Sequence, residues 1–94
     1  MMFADKIKQL REQKNLLQRQ MSAALEIDSG LYSKIERGDR RAKREQVLKL
    51  AEILNADKDE LLTLWLADQL NQVADNEKSV AAEAFKIAQQ QIEK

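Results

Sequence analysis

Residues 18 to 38, QRQMSAALEIDSGLYSKIERG, decide the fold of this chain of 94 residues. Met21 and Leu25 stand one helical turn apart, and Leu31 and Ile35 repeat that spacing further along. Apolar residues at this period indicate amphipathic helices, one in each half of the stretch. The segment therefore predicts two short helices joined by a tight turn.

The second of these helices has a predicted start and a predicted end. Ile27 is an apolar residue at the turn, and Asp28 follows it as an N-cap. This order lets the second helix start at a steep angle to the first. Gly38 is predicted to end the second helix, because glycine readily takes the left-handed conformation that closes helices.

The second helix ends in a Ser-x-Ile-Glu-x-Gly pattern, formed by Ser33, Ile35, Glu36 and Gly38. With this ending, the segment closely resembles the helix-turn-helix of the Xre/Cro family of phage-repressor-like DNA-binding proteins. The resemblance covers roughly residues 3 to 66. It implies a small helical domain that binds DNA.

Three positions depart from the family's usual residues. Leu17 stands where the family has Ser or Thr, Ser22 where it has Ala, and Glu26 where it has Gly. Leu17 gives the first motif helix no side-chain cap. Glu26 occupies a turn position that favours positive φ, at an expected cost of ~1 kcal/mol.

Apolar periodicity and capping residues predict six helices along the chain. We expect them at about 3–14, 18–25, 29–37, 45–54, 58–74 and 77–93. Asp57 and Glu60 are spaced as a capping box for the fifth helix, and Asp75 or Asn76 is expected to break and recap the chain before the sixth. The predicted fold class is all-α, with a five-helix phage-repressor-like helix-turn-helix domain at 1–66 and a C-terminal helical extension at 67–94.

The composition argues against several classes of protein. The chain has no Cys and no His, so it lacks disulfides and the residues that most often bind metals or act as nucleophile and neutral-pH base. We expect no enzyme activity, no metal, no cofactor and no small-molecule ligand. Neither a signal peptide nor a membrane-spanning run is recognisable, so the expected location is the cytoplasm.

Charge is distributed unevenly along a chain whose net charge is zero. The window from Lys34 to Arg44 holds six basic residues against Glu36 and Asp39, a net charge of +4. A local basic strip is the electrostatic pattern expected of a face that meets phosphate. The alternative is that this run is only a solvated loop.

The resemblance to the Xre/Cro family implies a role for particular residues. The second motif helix would enter the major groove of double-stranded DNA with its N-terminal end at the base edges. The base-reading positions fall on Gln18, Ser29, Gly30 and Lys34. Phosphate contacts fall on Arg19, Arg37, Arg40, Arg41, Lys43 and Arg44. The family also implies a buried ion pair, which here would join Arg11 to Glu36.

The last two predicted helices carry more apolar surface than a domain of about 65 residues can cover. The surplus residues, which we assign to a dimer interface, are Leu61, Leu64, Trp65, Leu66, Val80, Phe85, Ile87 and Ile92. A two-fold homodimer is favoured, because it places two recognition helices about one DNA turn, ~34 Å, apart. The alternative is a monomer in which the sixth helix folds back on the fifth.

The leading interpretation is a dimeric, sequence-specific transcriptional regulator, either a repressor or an autoregulator, that binds a pseudo-palindromic operator. Its short length suggests a protein of the kind that controls restriction-modification genes. The alternative is an antitoxin-like interaction module, whose helical tail masks a protein partner and whose motif binds an operator secondarily.

Overall fold

The computed structural model describes all residues from 1 to 94. Six α-helices follow one another: α1 (Met2–Gln13), α2 (Gln18–Leu25), α3 (Ser29–Glu36), α4 (Arg44–Ile53), α5 (Lys58–Ala74) and α6 (Lys78–Ile92). A single 3-10 turn, Asp75–Glu77, separates α5 from α6. The predicted all-α fold class is confirmed. No helix is both long enough and apolar enough to cross a membrane.

The core lies where α1 to α4 meet the first half of α5. Its fully or almost fully buried apolar residues are Phe3, Ile7, Met21, Tyr32, Ile35, Ala42, Val47, Leu50, Ala51, Leu54 and Leu61. Each helix contributes the apolar side of an amphipathic pattern, which is what stabilises helices this short. The consequence is a rigid support beneath α2 and α3.

At the N-termini of α2 and α4, the side chain of the third helical residue accepts a hydrogen bond from the backbone N–H of the N-cap residue. Leu17 and Lys43 are the N-cap residues, and neither side chain caps its helix. Instead Gln20 Oε1 accepts a hydrogen bond from the Leu17 N–H at 2.7 Å, and Gln46 Oε1 accepts one from the Lys43 N–H at 2.8 Å. Each glutamine therefore supplies half of a capping box.

The start of α5 differs from the predicted capping box. Asp57 does cap the helix, because its Oδ1 accepts a hydrogen bond from the Asp59 N–H at 2.8 Å. Glu60 instead lies 3.3 Å from the Lys6 ammonium on α1. Long-range pairing with α1 has therefore replaced the local return bond that the sequence spacing predicted.

Four helices end in residues with positive φ. Asn15, Glu26, Asn55 and Gly38 have φ values of 57°, 58°, 51° and 82°. Glu26 therefore takes the left-handed conformation that its position predicted, and Gly38 closes its helix as expected. Asn55 closes α4 in the same conformation. Of the four, Glu26 is the residue least suited to this conformation, since it has neither the short polar side chain of Asn nor the freedom of Gly.

The N-terminus of α1 is capped from α5 rather than by its own N-cap residue. Asp68 accepts hydrogen bonds from the Met2 N–H at 3.1 Å and the Phe3 N–H at 2.9 Å. Helix α5 passes through the expected domain boundary after residue 66 without a break. Asp68, which lies just after that boundary, is packed against the start of α1, and the division at residue 66 stays a prediction.

The C-terminal part of the chain leaves the core. No residue of α6 is buried, so α6 does not fold back onto the domain. The predicted recapping by Asp75 or Asn76 is wrong, because neither α6 nor the 3-10 turn receives a side-chain cap. The chain instead passes from α5 into the 3-10 turn and on into α6.

The residues assigned to a dimer interface fall into two groups. Leu61 is fully buried in the core, and Leu64 and Trp65 pack partly against it. The assignment of Leu61 is therefore wrong, because the domain's own packing already covers its side chain. The others stay open to solvent, with exposed fractions of 49% for Leu66, 55% for Val80, 39% for Phe85, 53% for Ile87 and 83% for Ile92.

Candidate nucleic-acid interface

Helix α3 begins with its N-terminal end open to solvent. The Asp28 Oδ1 accepts a hydrogen bond from the Gly30 N–H at 2.8 Å, which caps the helix as predicted. Ser29 and Gly30 are both exposed. A side chain at Gly30 would find only the Asp28 carboxylate close by, at 3.3 Å. The N-terminal end of α3 is therefore accessible from solvent.

One face of α3 is exposed along its whole length. Gly30, Lys34 and Arg37 follow an i, i+4, i+7 spacing, and all three are exposed. Tyr32, by contrast, is fully buried in the core. The Tyr32 ring therefore faces away from this surface and is part of the core.

The opposite face of α3 is tied to α1 by a buried ion pair. The Arg11 Nη2 lies 2.7 Å from Glu36 Oε1, and the Arg11 Nε lies 2.9 Å from Glu36 Oε2, a two-point contact. The remaining Arg11 terminal nitrogen donates to the Leu16 carbonyl at 2.9 Å. Glu36 is only 4% exposed. The contact fixes the C-terminal end of α3 against α1 and the loop before α2.

Gln18 joins the same cluster from the first turn of α2. Its Nε2 donates to Glu36 Oε1 at 3.2 Å. The side chain is half-buried, so only part of its amide is available to DNA. Gln18, a predicted base-reading residue, is thus also a partner of the Arg11–Glu36 ion pair.

Electrostatics within this cluster favour the charged forms of both partners. Burial alone would raise the pKa of Glu36, but hydrogen bonds, above all from Arg11, outweigh it and hold that pKa below its usual value. The hydrogen bond to Glu36 raises the pKa of Arg11. Burial raises the pKa of the Tyr32 hydroxyl, which lies beside the cluster without a hydrogen-bond partner.

The six predicted phosphate-contacting residues are all exposed, but they are not equally free. Arg19, Arg40, Lys43 and Arg44 form no side-chain hydrogen bond or ion pair within the protein. Arg37 pairs with Asp39 at 3.2 Å, so a phosphate would have to compete with that carboxylate. Arg41, in the loop after α3, contacts two side chains of α5.

The guanidinium of Arg41 lies over the indole ring of Trp65. Its guanidinium carbon is 3.8 Å from the ring centroid, and its Nη2 donates to Gln69 Oε1 at 2.5 Å. The Trp65 Nε1 donates to the Ala42 carbonyl at 2.7 Å. The loop between α3 and α4 is therefore attached to α5 through two adjacent residues.

A family model described as a helix-turn-helix domain matches residues 3–64. The chain belongs to this family. The matched range contains α1 from Phe3 onward, all of α2 to α4 and the first turns of α5. Comparisons with curated proteins and with solved structures gave no significant match.

Membership in this helix-turn-helix family implies DNA binding. Sequence reasoning missed three side chains that organise the surface: Asp68, Gln69 and Trp65 in its contact with Ala42. The sequence feature that could have revealed them is the occurrence of an acidic residue and an amide residue, Asp68 and Gln69, among the apolar residues of α5. Such a signal does not identify a partner about 25 to 65 residues away along the chain.

Proposed function

We propose that this helix-turn-helix protein is a dimeric, sequence-specific transcriptional regulator of the Xre/Cro type, acting as a repressor or an autoregulator. The observation that carries the proposal is the exposed face of α3, with Lys34 at its centre and a capped, open N-terminus. Lysine can donate to the acceptors of guanine in the major groove, and serine can pair with either base. Ser29 and Lys34 are therefore the proposed base readers.

Basic residues on both sides of α3 supply the proposed phosphate contacts. Arg19 lies on α2, and Arg40, Lys43 and Arg44 lie in or next to the loop after α3. Phosphate contacts fix the register of a protein on DNA, whereas base contacts carry the sequence preference. The two sets together provide what a sequence-specific reader needs.

The proposed dimer rests on the uncovered C-terminal helices. Leu66, Leu70 and Val73 form an i, i+4, i+7 stripe on α5, and each is about half exposed or more. The 15-residue α6 buries nothing, although an isolated helix of that length is only marginally stable in water. A second copy that covers both stripes would stabilise α6 and bring two recognition helices together.

A binding titration tests the DNA-binding part of the proposal. We expect selection from random duplexes to enrich a pseudo-palindrome, and the affinity for it to fall steeply as salt rises. Enrichment of no sequence, together with salt-independent binding, would contradict the proposal. No enzyme activity and no cofactor are part of the proposed function.

Sedimentation of the full chain tests the dimer. Phe85→Glu places a charge in the apolar face of α6 and should convert a dimer into a monomer that binds the palindrome weakly. Gln90→Glu, on the polar face of the same helix, is the matched control and should remain dimeric. A wild-type protein that is monomeric at micromolar concentration and still binds the palindrome fully would contradict the dimer.

The same uncovered apolar surface supports a second candidate, an antitoxin-like module that binds another protein. The two functions predict different outcomes in the same experiments. A regulator dimerises by itself and protects an operator when purified alone. An interaction module remains incomplete until a different chain occupies α6, and it co-purifies with that chain from its native host.

A further inference from the structure

The second half of the loop between α3 and α4, at Arg41 and Ala42, is held against α5. A cleft of about 110 Å³ lies behind the loop, lined among others by Phe3, Gly38 and Asp68. Close packing therefore does not fix the whole loop. Three specific contacts hold Arg41 and Ala42 in place. Arg41 stacks on Trp65 and donates to Gln69, and Trp65 donates to the Ala42 carbonyl.

These contacts orient the guanidinium of Arg41 but leave most of its N–H donors without a partner in the protein. Trp65 covers one face of the planar group, and Gln69 accepts from a single nitrogen. Arg41 forms no ion pair, and its side chain is exposed. A guanidinium has five N–H donors in a fixed fork, so several remain free along its edge.

We propose that Arg41, stacked on Trp65 and held by Gln69, is a pre-oriented phosphate clamp, and that Trp65 and Gln69 are positioning residues for DNA binding. The inference rests on the proposed DNA-binding function and assigns part of it to α5. Arginine pairs with phosphate through two parallel N–H donors. Such a pair forms with a smaller loss of side-chain freedom when the plane of the group is already fixed.

The clamp also gives α5 a part in the DNA contact itself. One side of α5 carries Trp65 and Gln69 against the loop, while Leu66 and Leu70 belong to its uncovered stripe. The same helix therefore supports the phosphate contact and carries part of the proposed dimer surface. The phosphate-contacting loop and the dimer surface are thus joined by one continuous helix.

Salt titrations of the full chain with a mixed-sequence DNA duplex test the clamp. Gln69→Met keeps the length of the side chain but removes the acceptor, and Gln72→Met makes the same change one turn along α5, where no hydrogen bond to Arg41 exists. Gln69→Met should weaken binding ~2- to 10-fold, because an unfixed arginine pays more entropy on binding. The salt slope should stay as in the wild type, since no charge is lost.

Arg41→Gln removes the proposed phosphate contact itself. It should weaken binding and also reduce the slope of log affinity against log salt by ~0.9 for each Arg41 in contact with a phosphate, which is ~1.8 for a bound dimer. Gln72→Met should match the wild type in affinity and slope. Thermal unfolding should show that all three variants are folded, because Gln69, Gln72 and Arg41 do not belong to the buried core.

Three outcomes would overturn the clamp. Arg41→Gln with an unchanged salt slope would show that Arg41 does not contact phosphate. Gln69→Met with wild-type affinity, or with no greater loss than Gln72→Met, would show that Gln69 positions nothing. In both cases the wild type still binds DNA, so the proposed function survives. A wild type without salt-dependent binding would overturn the clamp and the proposed function together.

Discussion

Arg11 of α1 and Glu36 at the end of α3 form a two-point ion pair, 25 residues apart along the chain and almost entirely buried. The pair connects α3 to α1, which lies outside the helix-turn-helix motif. Glu36 also accepts from Gln18, and Arg11 also donates to the Leu16 carbonyl. The orientation of α3 therefore depends on polar contacts as well as on the apolar core.

Removing one partner of this pair should be costly. Glu36→Ala is expected to destabilise the fold by ~3 to 5 kcal/mol, because Arg11 then stays buried without its counter-charge. Denaturant unfolding of Arg11→Met, Glu36→Ala and the double variant gives the coupling energy. The double variant should lose less than the sum of the single losses, by ~0.5 to 3 kcal/mol. Strict additivity would show that the two side chains do not stabilise each other.

The lowered pKa of Glu36 predicts a loss of stability in acid. Between the folded and unfolded pKa values the unfolded chain binds more protons, so stability rises with pH across that window. The contribution of Glu36 should be complete above about pH 4.5 and should disappear as the pH falls through its lowered pKa. The measurement is the unfolding free energy of the wild type and of Glu36→Gln from pH 6 downward. The gap between the two proteins should narrow in acid, and a constant gap would contradict the lowered pKa.

Glu26→Gly should stabilise the protein. Glu26 has a φ of 58°, a conformation that costs a residue with a Cβ ~1 kcal/mol or more relative to glycine. Part of this gain is offset by the greater freedom of glycine in the unfolded chain, so we expect a net gain of ~0.5 to 1 kcal/mol by thermal or denaturant unfolding. Glu26→Gln removes the charge and keeps the strain, so it should gain nothing. A gain of equal size in Glu26→Gln would assign the effect to charge instead.

Tyr32→Phe should not destabilise the fold. The Tyr32 hydroxyl is buried and has no hydrogen-bond partner, so its removal relieves a desolvation cost of ~1 kcal/mol without opening a cavity of consequence. Tyr32→Ala, which also removes the packed ring, should lose ~3 to 5 kcal/mol. Unfolding curves of both variants provide the measurement. A loss above about 1 kcal/mol in Tyr32→Phe would show that the hydroxyl forms a hydrogen bond with the Glu36 carboxylate.

Lys34→Ala should change the sequence preference of DNA binding. A base-edge contact is worth ~1 to 3 kcal/mol of discrimination, so Lys34→Ala should weaken specific binding by that amount and relax one position of the operator. Arg44→Ala, which removes a proposed phosphate contact, should weaken all sequences similarly. Competition between specific and mixed-sequence duplexes measures the ratio. An unchanged ratio in Lys34→Ala would show that Lys34 does not read a base.

The sequence by itself determined the elements and the motif. Helix starts and ends follow from apolar spacing and from local residues such as Asp28, Gly38 and Asn55, which act within a few positions of themselves. The positive φ of Glu26 was anticipated because the resembling family has Gly at this position. The Arg11–Glu36 contact was also anticipated, but only through the resemblance to a family.

The tertiary structure alone decided which side chains meet over long separations. No local sequence feature indicates that Asp68 caps α1, that the Glu60 side chain pairs with Lys6 of α1, or that Arg41 stacks on Trp65. It also separated Leu61, which the core buries, from Leu66 and the apolar residues of α6, which it leaves open. Periodicity states that a residue faces an apolar environment. Whether that environment lies within the same chain depends on the volume of the completed core, which only the packed structure defines.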